Sequence, residues 1–128
     1  MVTILLAAAA LLVSYLLNKI LLRLLKENAV IYGAPVSEEL LKTLPAYILN
    51  RPILLVHFLF GVGEAIYDLL NSGEQTGRWA ALVSIISHTL FGAITYFLLT
   101  WIGNVYIAMP FSMVIHCLWN YIVMRKTS

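Results

Sequence analysis

Apolar residues run along this chain in five long blocks, at 2 to 25, 35 to 50, 52 to 71, 79 to 101 and 104 to 124. Four of the blocks approach or exceed the roughly 20 residues that an α-helix needs to cross a hydrocarbon layer about 30 Å thick. The second block is short. It opens on Glu38 and Glu39 and holds Lys42 and Pro45, so the pattern predicts a helix that is truncated, kinked or re-entrant there. Between blocks stand Gly33-Ala34-Pro35, Asn50-Arg51-Pro52, Asn71-Ser72-Gly73 with Gly77, and Gly103-Asn104, which read as turns and caps. The prediction is an all-α, polytopic transmembrane helix bundle of about five membrane segments, a single domain over residues 1–128 with no internal repeat and no linker.

Composition agrees with the pattern. The chain is 62% hydrophobic and 11% charged, with a mean hydropathy of +0.92, where a soluble domain carries about 25% charged residues. A net charge of +2, spread over scattered lysines and arginines, argues against a nucleic-acid partner. Cys117 is the one cysteine, so there is no internal disulfide and no cysteine-based zinc motif. The partner that composition implies is the lipid bilayer.

Charge placement predicts orientation. A secretory signal carries its basic residues ahead of the apolar run, whereas Lys19, Arg23 and Lys26 follow the first block, which predicts a retained helix. With the N-terminus outside, those three and Arg78, Arg125 and Lys126 are cytoplasmic, and Arg51 marks an outer loop. The expectation is an integral protein of the plasma membrane with a cytoplasmic C-terminus.

The isolated polar residues inside the blocks carry the candidate chemistry. Glu64 lies seven residues before the end of the third block, His88 nine after the start of the fourth and His116 eight before the end of the fifth. At about 1.5 Å of rise per residue, all three lie roughly 10 to 14 Å below one surface. Glu38 and Glu39 are shallower on the same side. Ionisable groups inside a membrane are costly, so a shared depth marks a functional layer. Glu38 and Lys42 form an i, i+4 pair, which would leave Glu39 without a local cation and make it the better candidate base. Asn120 shares a stripe with Ser112 and His116. His57, near the outer end of its block, reads as an interfacial histidine, and Cys117 as packing.

Carboxylates, imidazoles and an amide in one buried layer suit water activation, with a histidine or asparagine as oxyanion donor. Glu39, Glu64, His88 and His116 would equally suit a divalent metal such as zinc. The bland alternative is interhelical glue in a non-proteolytic scaffold or immunity-type protein. No GxSG or HExxH motif offers serine- or HExxH-type metalloprotease chemistry.

Four segments in order, "EELLK" (Glu38, Glu39, Lys42), "FGVGEAIYD" (Phe60, Glu64), "HTLFG" (His88) and "HCLWN" (His116, Asn120), resemble the PrsW-like intramembrane proteases of the CAAX prenyl endopeptidase and bacteriocin-processing superfamily. A CAAX-type member would have EExxxR and FxxxH where this chain has Thr43 and Glu64, which favours the PrsW-like branch. The resemblance implies an intramembrane endopeptidase that cuts a membrane-anchored protein near the cytoplasmic leaflet, with Glu38, Glu39, Glu64, His88, His116 and Asn120 as its site. Relatives of this kind usually have more transmembrane helices, so the chain would be a minimal core.

Overall fold

The computed structural model describes residues 1–127 and contains five α-helices. These are α1 (Val2–Leu25), α2 (Ala34–Ile48), α3 (Ile53–Asn71), α4 (Glu74–Ile102) and α5 (Val105–Thr127), and no strand occurs among the described residues. α1, α3, α4 and α5 are long and apolar enough to cross a membrane. α2 has 15 residues, about 22 Å of helix, and falls short of the hydrocarbon thickness.

Two boundaries differ from the sequence pattern. Gly33-Ala34-Pro35 is no turn: a π-helical segment, Ala29–Gly33, runs directly into α2, and Pro35 sits in the first turn of α2, where its missing N–H costs least. The actual break after α1 is Lys26, whose φ of 51° is unusual for a side chain of that length. α4 begins at Glu74 rather than near residue 79, because Glu74 and Arg78 pair at i, i+4 (2.7 Å) and extend the helix beyond the apolar block.

Burial in this bundle runs opposite to that of a soluble protein. Glu39, Lys42 and His57 are fully buried, while Leu12, Phe97 and Trp101 are 61%, 67% and 79% exposed. Large apolar side chains form the outer surface and ionisable groups the interior, the arrangement expected where the surrounding solvent is hydrocarbon. Helices then approach through small residues. A Cβ at Gly61 would lie 3.0 Å from the Ser84 carbonyl, and one at Gly92 would lie 2.6 Å from the His57 Cβ, so both glycines are needed for the close α3–α4 hairpin.

Alternation of the helices gives the bundle two distinct ends. At one, Ala7, Ala46, Ile53 and Val56 make a small apolar plug near the Asn50–Pro52 connection. At the other stand Lys19, Arg23, Lys26, Arg78, Arg125 and Lys126; of the eight Lys and Arg residues only Arg51, beside the plug, and the buried Lys42 lie elsewhere. The polar layer lies between, open toward the basic end.

Candidate functional site

α2 supplies the centre. Its inward face carries Glu38, Glu39, Lys42 and Thr43, all buried, from consecutive turns. Lys42 Nζ donates to Glu39 Oε1 (2.7 Å) and to His88 Nδ1 (2.9 Å), and lies 4.6 Å from the centre of the Phe60 ring. The predicted Glu38–Lys42 pairing is therefore replaced by Glu39–Lys42 at i, i+3. Glu38 instead accepts from Asn18 Nδ2 on α1 (3.1 Å).

Each remaining helix adds a member. Ser112 Oγ of α5 donates to Glu39 Oε2 (3.1 Å), and His116 Nδ1 lies 3.0 Å from Glu39 Oε1. An ionised carboxylate only accepts, so Nδ1 bears the hydrogen and the His116 Nε2 lone pair faces the other way. It faces Glu38 Oε2, 4.0 Å off. The same logic fixes His88: an ammonium only donates, so Nδ1 accepts from Lys42 and Nε2–H donates to Glu64 Oε2 (2.5 Å). Ser84 Oγ also donates to Glu64 Oε2 (3.0 Å). The His88 ring is wedged edge-on among Phe60, Phe91 and His116, and Phe91 stacks on His116 at 4.3 Å. All five helices thus meet in one polar network.

A cavity of about 370 Å³ opens on this network, with Glu38, Glu64, His88, His116 and Asn120 in its wall beside Asn18, Asp68 and Trp119. Glu39 is not in the wall. Its two oxygens are taken up by Lys42, His116 and Ser112. Of the four residues expected to hold a metal, His88 and His116 come together, with Glu38 rather than Glu39 or Glu64 as the carboxylate: Glu38, His88 and His116 each bring one ligand atom within 4.8 Å of the other two.

Asn120 does not orient His116. Its Nδ2 donates to the Val30 carbonyl (2.8 Å) in the π-helical segment. In the i→i+5 pattern of that segment the partner of Val30 would be Pro35, which has no N–H, so the side chain of Asn120 satisfies an otherwise orphaned carbonyl. An amide nitrogen carries two hydrogens, so the bond to Val30 uses only one of them, and Asn120 lies in the cavity wall.

Two residues were not read as site members from sequence. His57 is not interfacial: it is fully buried, with Nε2 3.1 Å from Thr43 Oγ1 and Nδ1 3.7 Å from Glu39 Oε2, because Gly92 opposite lets the ring turn inward. Asn18, the other, had no role in the sequence pattern. The available signal was the stripe of small and polar residues on α1, Ala7, Ala10 and Ser14, all buried, with Asn18 one turn further on.

Compared with known protein families, curated proteins and solved structures, the chain matches none. Fold and site therefore define a class only: an all-α membrane-type bundle with a buried carboxylate–histidine centre opening on a cavity.

Proposed function

We propose that this protein is an intramembrane peptide hydrolase of the PrsW-like kind, acting on a membrane-anchored protein or peptide near the basic, cytoplasmic end of the bundle. The observation that carries this reading is the division of labour between the adjacent glutamates. Glu39 is used up in holding His116 and Lys42, while Glu38 and the free Nε2 of His116 face each other across 4.0 Å at the cavity wall. A carboxylate behind an imidazole that presents its lone pair to a reaction space is the arrangement by which many hydrolases fix a histidine tautomer.

In this reading Glu38 and His116 Nε2 hold the attacking water. Glu64 takes its proton, since Oε2 is anchored by His88 and Ser84 while Oε1 has no partner in the network. The second N–H of Asn120 meets the oxyanion of the tetrahedral intermediate. Glu39 and Lys42 touch no substrate. They position His116 and His88.

The positive-inside pattern supports the orientation, with the N-terminus and Arg51 outside. The same network also supports a second reading, a non-proteolytic scaffold, because its bonds tie all five helices together. The experiment that separates the two is cleavage of membrane-anchored proteins by the reconstituted chain, wild type against Glu64→Gln. A hydrolase loses turnover in the variant, whereas a scaffold gives no cleavage in either protein.

A further inference from the structure

We propose that the outer seam between α1 and α3, at the basic end of the bundle, binds one anionic phospholipid, with its phosphate between Lys19 and Arg23 and its chains over Tyr15 and Tyr67. The proposal concerns the outside of the bundle and is independent of the hydrolase reading.

The seam has a register. α1 and α3 run in the same direction, and a Cβ at Gly63 would lie 2.5 Å from Leu11 Cδ2, so the two helices meet closely there. One turn nearer the basic end on both helices, Tyr15 and Tyr67 face each other with ring centres 6.0 Å apart, and both rings are partly exposed on the outer surface. A further turn brings Lys19 level with Asn71, the last residue of α3, and one more carries Arg23 past the end of that helix. The seam is therefore tight at Gly63, floored by two aromatic rings, and bounded by α1 alone at the level of Arg23.

Charge at this open end is unmatched. Lys19 and Arg23 are exposed and stand at i, i+4, where like charges repel. The ion pairs among the described residues all lie elsewhere, and Glu27, four residues after Arg23 but beyond the backbone break at Lys26, pairs with neither. Asn71 is also occupied, since its Nδ2 donates to the Tyr67 carbonyl (2.8 Å).

The Lys19 ammonium instead sits 4.4 Å from the centre of the Tyr15 ring, turned back along α1 rather than extended toward the basic end. Helical side chains lean toward the helix N-terminus, so the Arg23 guanidinium covers the turn that starts at Lys19. Two cations thus share one level directly above an aromatic floor. An anion between them relieves their repulsion.

The order of these groups selects a lipid over a free anion. A phospholipid carries its negative phosphodiester above and its hydrocarbon below, which matches cations at the headgroup level and tyrosine rings on the hydrocarbon side. Free phosphate would use the cations and leave the exposed rings without a role.

The test is native mass spectrometry of the full, delipidated chain in detergent, titrated with phosphatidylglycerol or with phosphatidylcholine of the same acyl chains. Expected for wild type is one tightly held phosphatidylglycerol, preferred over phosphatidylcholine by at least about fivefold. Lys19→Gln and Arg23→Gln should each weaken that binding about fivefold, and the double variant about 25-fold. The control Arg125→Gln/Lys126→Gln removes the same charge at the same end on α5, and should change binding less than twofold. Circular dichroism checks folding; if the double variant does not fold, Lys19→Gln decides. No preference for phosphatidylglycerol, or an equal loss in the α5 control, would overturn the site. Displacement of the lipid by a large excess of inorganic phosphate would also overturn it, by showing a site for a free anion.

Discussion

The Glu39 carboxylate holds His116 by its Nδ1, 3.0 Å from Oε1, and so decides which ring nitrogen reaches the cavity. Glu39 is fully buried and shares the same oxygen with Lys42 at 2.7 Å. A negative group this deep, with a cation and a hydroxyl already on it, is a structural anchor for chemistry carried out by its neighbours.

Glu39→Gln should therefore unfold the protein more readily rather than merely slow it. The substitution leaves the Lys42 ammonium buried without a counter-charge, a loss of about 3–5 kcal/mol for pairs of this kind. Thermal unfolding in detergent measures it. A variant as stable as wild type would show that Glu39 carries no such load.

Lys42→Met should be destabilising for the mirror-image reason, and the double variant Glu39→Gln/Lys42→Met should recover part of the loss. Removing both charges leaves polar and apolar groups of similar volume where each single change leaves an orphaned ion. Strictly additive stabilities in the double-mutant cycle would contradict the pairing.

Gly92→Ala should cost about 1–3 kcal/mol, typical of overpacking, since its Cβ would lie 2.6 Å from the His57 Cβ and push that ring away from Thr43. Gly73→Ala, in open space between α3 and α4, should be close to neutral. Comparing the two melting temperatures tests how closely α3 and α4 approach.

Orientation can be read chemically. In a Cys117→Ser background, single cysteines at Asn50 and Ser72 lie in connections at opposite ends of the bundle. A membrane-impermeant thiol reagent added to intact cells should label the first and spare the second. The opposite pattern would invert the orientation inferred from the basic residues.

Much of this architecture is legible in the sequence because the membrane makes polar residues expensive. Glu64, His88 and His116 stand out against apolar neighbours, and their common depth foreshadows the network they form. Pairings were less legible. Whether Lys42 turns to Glu38 or Glu39 depends on helix rotation, and i, i+3 and i, i+4 partners are equally reachable on an isolated helix. The Val30–Asn120 bond was hidden because it answers a π-helical irregularity that no periodicity announces. His57 was misplaced because depth was counted from an assumed membrane boundary, while its burial depends on Gly92 across the helical hairpin.

The most direct test of the central claim, that the cavity carboxylates activate water, is turnover by the reconstituted chain on membrane-anchored proteins, read as new peptide termini, for wild type and Glu64→Gln. Gln keeps the size and an acceptor oxygen of Glu64 but not its basicity. The account predicts cleavage by wild type, a fall of at least about 10²-fold in Glu64→Gln and little change in melting temperature. Undiminished cleavage by a folded Glu64→Gln protein, or none by wild type, would contradict it.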